Sequence, residues 1–318
     1  MTVRLAVTLG DPRGIGPEVV GLAAARLLEE SPDVALRFLG AGPASSTSRV
    51  ESAFPFDVEE VARFDGTLAS AGRVCGAAVE RAVELALRGE VDGIVTGPIH
   101  KPAFRAAGYA EPGHTELLQR LTGASQVGML MAAEETRLGG PLRVLLATTH
   151  LPLRKVPERV TTELIVTQSQ LLDRGLRDGW GLDRPRLALC GLNPHASDQG
   201  LFGSEEAEVL TPAVAILRSE TVEIHGPIPA DTVFGRALGG EFDAVVVPYH
   251  DVGMAPFKTV AFGGGVNVTL GLPFPRTSPD HGTAFDLVGT GRADPTSTLH
   301  ALRLATRLAS PTGGRDSL

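Results

Sequence analysis

Short apolar runs alternate along the chain with longer segments in which apolar residues recur at helical spacing. The first run, residues 4–9, ends at the glycine-rich segment GDPRGIGPE, after which Pro17 and Glu18 open a helical stretch. Continuous apolar strands that alternate with helices are typical of a sheet covered on both faces. The pattern therefore predicts an α/β fold with a mostly parallel sheet. Further strands are predicted at 91–97, 142–150, 186–193, 242–251 and 266–271, and further helices at 75–89, 159–174 and 205–220.

The length of 318 residues fits either two lobes or one large domain. No linker interrupts the alternating pattern, so we interpret residues 1–318 as a single catalytic unit of two α/β lobes that interleave along the chain. The sequence does not define the lobe boundaries. Residues 310–318 are expected to form a frayed tail because they are polar and rich in glycine.

Charge and apolar run length limit the classes of partner. The formal net charge of −8 removes the broad basic surface that nucleic-acid binding requires. No apolar run reaches the length of a membrane span, and the N-terminus lacks a secretory pattern, so a cytoplasmic protein is expected. Cys75 and Cys190 are far apart and predict neither a disulfide framework nor a thiolate zinc site.

Lysine and asparagine are scarce, with three and two residues respectively. Where a composition is this biased towards Arg, the positions that keep Lys or Asn are candidates for chemistry that Arg or Asp does not replace. Four of these five residues lie in segments rich in Gly and Pro. They are Lys101, Lys258, Asn193 and Asn267.

Histidines are concentrated where predicted strands end. Only His300 lies in a segment typical of an ordinary helix. Because α/β enzymes place their sites at the carboxyl ends of parallel strands, this clustering predicts an active site. The seven histidines expected in loops are His100, His114, His150, His195, His225, His250 and His281.

Three of these histidines follow apolar strands in the same way. His150, His195 and His250 follow the apolar runs of the segments LLATTH, LALCGLNPH and VVVPYHD. Neighbouring strands would bring three imidazoles together, and such a set suits Zn, Co, Ni, Mn or Fe. The alternative is that each is a separately hydrogen-bonded loop histidine, because the spacing matches no short metal motif.

Two further segments offer candidate anion contacts. GDPRGIGPE is either an anion cradle at a helix N-terminus or a plain tight turn, and its carboxylates argue against a phosphate there. The segment 250–286, expected in loop context, contains Lys258, Asn267 and Arg276, which suit a phosphate or carboxylate. The alternative is that both cations are ordinary surface charges.

Eight ordered motifs resemble the 4-hydroxythreonine-4-phosphate dehydrogenase family of vitamin B6 synthesis. The match runs from Gly10 to about Asp294. The motifs are GDPRGIGPE, TGPIHK, GHTE, THLPL, GLNPHAS followed by FGSEE, GPIPADT, YHDVGMAPFK and VNVTLGLPFPRTSPDHGTAFD.

The resemblance implies an NAD- or NADP-dependent oxidation of the C3 hydroxyl of 4-phosphooxy-L-threonine. The resulting β-keto acid would lose CO2 and leave 3-amino-2-oxopropyl phosphate. It also implies the two-lobed α/β/α fold of isocitrate and isopropylmalate dehydrogenases, which binds NAD without a classical dinucleotide fingerprint. A homodimer with a shared active site is expected on the same ground.

The resemblance also implies roles for individual residues. A divalent metal (Zn, Mg, Co, Mn or similar) would be bound by His150, His195 and His250, with one ligand donated across the dimer interface. Asp251 and Lys101 are candidates for the general base and could equally be supporting residues. The implied substrate contacts are His114, Thr115, Lys258, Asn267 and Arg276, and the implied cofactor contacts are His281, Gly282 and Thr283.

Departures from the common family pattern leave the exact substrate open. Arg13 replaces a small residue, Val252 replaces Gln, and SDQGLFG replaces a more glycine-rich form. Related branches oxidise phosphorylated threonate or erythronate, or a cyclic dihydrodiol dicarboxylate. Alternatives of other classes are a phosphate acyltransferase of similar fold, a binding or regulatory protein, and a metal-dependent phosphohydrolase.

Overall fold

The computed structural model describes residues 2–42 and 54–310. These residues form two compact units. The first contains the described residues up to Val127 and those from Leu272 onward, and the second is Gly128–Gly271. The chain thus leaves the first unit once and returns to it near the C-terminus. Residues 311–318 of the predicted tail lie outside the described residues.

The first unit carries a parallel sheet. Its strands are β1 (Arg4–Thr8), β2 (Ala35–Gly40), β3 (Val58–Glu60), β4 (Gly93–Thr96) and β11 (Arg276–Pro279). Their spatial order is β3-β2-β1-β4-β11, and each neighbouring pair is parallel. The helices are α1 (Gly16–Glu30), α2 (Leu68–Leu87), α3 (Lys101–Ala106), α4 (His114–Thr122) and α10 (Thr296–Ala309), with a 3-10 turn at Phe285–Leu287.

Helices cover both faces of this sheet because its strands are apolar on both sides. Ala6 and Ile94 pack in one cluster with the buried face of α2. On the opposite face, a side chain at Gly93 would meet Leu5 of β1 and also Ala309 of α10. The unit is therefore an α/β/α sandwich.

The second unit has a mixed sheet. Its strands are β5 (Gly128–Ala133), β6 (Leu142–Leu146), β7 (Leu187–Cys190), β8 (Ile224–Ile228), β9 (Ala244–Val247) and β10 (Val266–Leu270). The order is β10-β5-β6-β9-β7-β8, in which β10, β5 and β6 pair antiparallel and the others parallel. The helices are α5 (Val156–Arg159), α6 (Thr162–Trp180), α7 (Thr211–Ser219), α8 (Ala230–Leu238) and α9 (His250–Ala261), with 3-10 turns at Leu153–Lys155 and Pro194–Asp198 and a π-helical turn at Glu206–Leu210.

Alternate residues of β6 face opposite layers of the second unit. A side chain at Gly253 of α9 would meet Val144, Leu146 and Val247, so α9 lies directly on that face. On the other face, a side chain at Gly128 would meet Leu145 and Leu171 of α6. The mostly parallel α/β architecture predicted from the sequence is confirmed.

Helix boundaries differ from the sequence prediction where capping residues define them. α2 begins at Leu68, well before the predicted residue 75, because the Thr67 side chain accepts a hydrogen bond from the Ser70 amide. α6 covers Thr162–Trp180 and not 159–174. Thr161 caps its start, and Gly181 ends it in the left-handed conformation at φ 68°.

The expectation of loop context was wrong for several candidate residues. His114 and His250 are the first residues of α4 and α9, and His225 lies in β8. In the segment 250–286, Lys258 is in α9 and Arg276 in β11, whereas Asn267 lies in β10, where a strand was predicted at 266–271. Glycine and proline are typical of loops, but buried packing against the sheet stabilises α9 although Pro256 lies inside it.

Within residues 2–42 and 54–310, every helix falls short of the length and apolar character that a membrane span requires.

Candidate functional site

Three neighbouring parallel strands of the second unit carry the candidate metal ligands. β6, β9 and β7 lie side by side, so their carboxyl ends share one edge of the sheet. His150, His250 and His195 follow these three strands in the chain. The predicted adjacency of the three histidine-bearing strands is therefore confirmed.

His150 and His250 lie close together at this edge. The Ala147 amide donates to the carbonyl oxygen of Val247 (2.9 Å), and Thr148 Oγ1 donates to that of Pro248 (2.7 Å). These bonds join the segments that carry the two histidines. The ring centroids are 5.4 Å apart, and the rings are tilted by 40°.

His250 is oriented by its neighbour in the chain. Its Nδ1 lies 2.7 Å from Oδ1 of Asp251. A carboxylate at Nδ1 favours the tautomer in which Nε2 is the unprotonated nitrogen. The Asp251 side chain, which is 89% exposed, is thus in contact with a candidate metal ligand.

His195 lies in a left-handed turn after β7. Five consecutive residues that are not glycine, from His195 to Gln199, have φ between 44° and 67°. L-residues adopt this region at a cost in free energy, and runs of them are rare. His195 is exposed, and its ring lies 6.3 Å from that of Phe202.

A single chain does not assemble all three histidines into a metal site. Among the described residues there is no group of three or more His, Cys, Asp or Glu side chains placed to hold a metal ion. The structure brings His150 and His250 together, and it does not bring His195 to them as a third ligand.

In the first unit, β11 and α4 place two candidate substrate contacts together. Arg276 is only 2% exposed, and its Nη2 donates to Thr96 Oγ1 (2.6 Å). Burial lowers the pKa of Arg276 to about 10. Enclosure of the ring, together with the charge of Arg276, holds the pKa of His114 well below its usual 6.5.

The His114 ring keeps one nitrogen without a partner. Its Nε2 is enclosed and forms no hydrogen bond with any described residue, although His114 as a whole is only half-buried. A buried polar atom left unsatisfied costs roughly 1–3 kcal/mol, so this nitrogen is a candidate contact for a ligand. Thr115, the next residue of α4, is also half-buried.

The remaining candidate substrate contacts belong to the second unit. Asn267 is half-buried in β10, where it pairs with Met131 of β5. Its Oδ1 is enclosed and has no hydrogen-bond partner in the part of the chain that the structure describes. Lys258 is half-buried in α9.

The candidate cofactor residues form a loop against the start of α1. The Thr283 carbonyl oxygen accepts a hydrogen bond from the Ile15 amide (2.9 Å), and a side chain at Gly14 would meet that oxygen at 2.8 Å. His281 Nε2 lies 3.3 Å from Thr298 Oγ1. A side chain at Gly282 would meet only open space, so the backbone is accessible there.

The segment GDPRGIGPE is a tight turn whose amides are engaged within the protein. Asp11 N donates to the Pro98 carbonyl oxygen, Gly14 N to that of Asp11, and Arg13 N to Asp11 Oδ1. These contacts favour the turn over the anion cradle.

Sequence reasoning missed a cluster around Arg13 in the first unit. The Arg13 guanidinium binds the fully buried Asp11 carboxylate, lies 3.3 Å from His100 Nδ1 and stacks 5.3 Å above the Phe285 ring. The departure of Arg13 from the family pattern was the available signal. Lys101, the other candidate base, is exposed at the start of α3.

The fold is an α/β fold of the isocitrate dehydrogenase type. The solved isocitrate dehydrogenase from Methylococcus capsulatus is 17% identical, with a TM-score of 0.55 over 98% of this chain and 88% of that chain. At this identity the likeness concerns the fold alone.

The particular family follows from more similar proteins. The sequence model described as "Pyridoxal phosphate biosynthetic protein PdxA" matches residues 20–305, and the chain belongs to this family. A protein from Chromobacterium violaceum named 4-hydroxythreonine-4-phosphate dehydrogenase is 42% identical over 98% of each chain. A solved structure of that name from Klebsiella pneumoniae is 37% identical, with a TM-score of 0.79, and the match covers 97% of this chain and all of that chain.

Proposed function

We propose that this protein oxidises the C3 hydroxyl of 4-phosphooxy-L-threonine with NAD or NADP. The oxidation removes a hydride from C3, which NAD or NADP would accept when bound, and a base takes the hydroxyl proton. The β-keto acid then loses its carboxylate from C2 as CO2 and gains a proton at C2, which gives 3-amino-2-oxopropyl phosphate. The observation that carries the proposal is the buried Arg276 guanidinium beside the enclosed, unpartnered Nε2 of His114.

This pair suits a phosphorylated substrate. A guanidinium presents planar, paired donors that match phosphate oxygens. A bound phosphate would offset part of the cost of burying Arg276 and would favour a proton on His114, which then donates from Nε2. Binding energy from the phosphate, which is remote from C3, positions the reacting carbon. Lys258, Asn267 and Thr115 are proposed as further substrate contacts on the family resemblance.

The donors at the edge of the second unit fit one divalent metal. His150 and His250 are adjacent imidazoles, and Asp251 holds His250 with Nε2 as the acceptor. His195 is proposed as the third ligand, with one of the three donated by a second copy of the chain. When bound, a divalent metal supplies a Lewis acid that stabilises negative charge on the C3 oxygen, and NAD(P) accepts the hydride.

Exposed apolar side chains near these histidines favour a homodimer. They lie on the segments that follow β6 and β7, and large exposed apolar residues in one region are typical of an interaction surface. They are Leu151, Leu153, Leu201 and Phe202, which are 40%, 68%, 72% and 45% exposed.

Two assignments rest on the resemblance and on local geometry. The backbone at His281, Gly282 and Thr283 is proposed to contact the cofactor, because the loop packs against the start of α1 and Gly282 faces open space. Asp251 and Lys101 remain the candidates for the general base. The contact of Asp251 with His250 favours an orienting role for that carboxylate.

The test is nicotinamide reduction with 4-phosphooxy-L-threonine after chelation, with and without added divalent metal, beside His195→Ala. We expect turnover that metal restores in the wild type and not in the variant. Oxidation of phosphorylated threonate or of a cyclic dihydrodiol dicarboxylate in its place would move the protein to another branch of the family. The absence of nicotinamide reduction with all three would overturn the proposal.

A further inference from the structure

A buried carboxylate lies behind the turn that carries His195. Glu206, in the π-helical turn after β7, is 3% exposed. Its Oε1 accepts hydrogen bonds from the backbone amides of Leu192 (2.8 Å) and Asn193 (2.7 Å). Its Oε2 accepts from Asn193 Nδ2 (2.9 Å). These partners are all uncharged N–H groups, so hydrogen bonds hold this buried carboxyl group in place.

Asn193, whose backbone amide and Nδ2 both donate to Glu206, lies at the start of the turn that carries His195. The Asn193 side chain also donates to Glu205 Oε2 (2.7 Å), and the Asn193 backbone carbonyl oxygen accepts from the Ala196 amide (3.1 Å). A side chain at Gly203 would meet Asn193 Nδ2 at 2.6 Å, so the chain closes tightly over this amide. Asn193 is thus held on both its backbone and its side chain, two residues before His195.

The turn itself needs such support. His195, Ala196 and Ser197 have φ of 54°, 53° and 67°, each in the left-handed region. Strained conformations of this kind persist only when surrounding contacts over-determine them, and they are concentrated at functional sites. Glu206 and Asn193 support the start of this turn, and His195 within it is exposed.

We infer that Glu206, acting through Asn193, is a positioning residue that holds the left-handed turn and so presents the His195 imidazole as a metal ligand. The inference rests on the proposed function, because it requires His195 to bind the metal. A carboxylate suits this role because it offers acceptors to three N–H donors, whereas a glutamine would place an NH2 group against at least one of them.

The experiment is calorimetric titration of Zn2+ into the full-length, metal-free protein in its native oligomeric state. Glu206→Gln keeps the size of the side chain and removes one acceptor. Glu208→Gln is the matched control, because Glu208 is exposed in the same helical turn. We expect Glu206→Gln to weaken zinc binding by about 10–100-fold, the usual effect of losing a group that orients a ligand. The control should bind as the wild type does.

The outcomes separate the inference from the proposed function. Wild-type zinc affinity in Glu206→Gln, together with lost affinity in His195→Ala, overturns the inference and leaves the function standing. A His195→Ala variant that binds zinc normally removes the proposed ligand and the inference with it. A merely structural role would lower the melting temperature of Glu206→Gln and leave its zinc dissociation constant unchanged.

A second pair of variants keeps the inference testable if Glu206→Gln does not fold. Asn193→Ala removes one partner of Glu206 and leaves the backbone bonds, and we expect a weaker loss of zinc affinity. Adding Ala196→Gly should restore several-fold of that loss, because glycine adopts positive φ without the steric penalty. A failure of Ala196→Gly to restore binding would show that the turn conformation is not what Asn193 and Glu206 control.

Discussion

The two units place histidine in opposite environments. His114 of the first unit has its Nε2 enclosed beside the buried Arg276, which keeps the imidazole neutral. His195 of the second unit is exposed on a left-handed turn. His114 opens α4 and His195 follows β7. Both lie in glycine-containing motifs, so the local sequence does not distinguish them.

The two histidines differ in the groups that surround them. In the first unit, the His114 imidazole and the Arg276 cation of one chain interact electrostatically, and an anion between them is the proposed addition. In the second unit, His150 and His250 are adjacent, but no group of three metal-binding side chains forms among residues 2–42 and 54–310. The metal site proposed above therefore requires a ligand from a second copy of the chain, whereas the proposed anion contact does not.

The largest expected effect is the loss of a candidate metal ligand. His150→Ala should reduce kcat/KM by about 10^3-fold, since a group that stabilises charge in the transition state is lost. Steady-state kinetics with saturating metal measures this. His225→Ala, which changes an exposed histidine of β8, should be close to wild type. Equal losses in the two variants would contradict the special role of the sheet edge.

Arg276→Lys tests the anion contact with a smaller change. Lysine keeps the charge but loses the planar pair of donors, so we expect KM for the phosphorylated substrate to rise about tenfold or more. KM for the nicotinamide cofactor should not change. Arg303→Lys, on the exposed pair with Glu30, serves as the control. A rise in both Michaelis constants would indicate a general disturbance of the fold.

Acid should destabilise the first unit through His114. Its folded-state pKa lies well below 6.5, so the unfolded chain binds the proton first as pH falls. Stability is therefore full above pH 6.5 and declines below it, by at most about 1.4 kcal/mol per pH unit for this one group. Urea unfolding of the wild type and of His114→Gln between pH 8 and 5 measures the difference. Parallel pH dependence in both proteins would exclude His114 as the cause.

The smallest effect is expected for Thr148→Val. This change removes the hydrogen bond to the Pro248 carbonyl oxygen, which joins the segments that carry His150 and His250. A buried bond of this kind contributes about 1 kcal/mol to the free energy of unfolding. Urea unfolding beside Thr259→Val, whose hydroxyl donates to the Ala255 carbonyl oxygen within α9, provides the comparison. A smaller loss in Thr148→Val than in the control would be the contrary result.

Much of the fold could be predicted from the pattern of apolar residues. The strands that carry His150, His195 and His250 are continuous apolar runs, and the structure places them side by side. The helices that begin at His114 and His250 were not predicted, because their glycine and proline content is typical of loops and only packing against buried neighbours stabilises them.

The site divides in the same way. The identity of the candidate residues could be read from motifs, including the rare Asn193 and Lys258. The environments of these residues could not be read from motifs. Arg276 is buried against β4, and Glu206 is hydrogen-bonded to Asn193, and both contacts join residues that are separated in the chain. FGSEE was visible as a motif, yet nothing local distinguishes the buried Glu206 from the exposed Glu208.

The sequence by itself determined the α/β class, the strand ends that carry the histidines, and the resemblance to one family. Apolar periodicity and residue type are local properties, and they are enough for these conclusions. The tertiary structure decided which histidine is enclosed, which stays exposed, and which backbone is forced into the left-handed region. These are properties of packing, and packing is set by neighbours that the linear order of residues does not reveal.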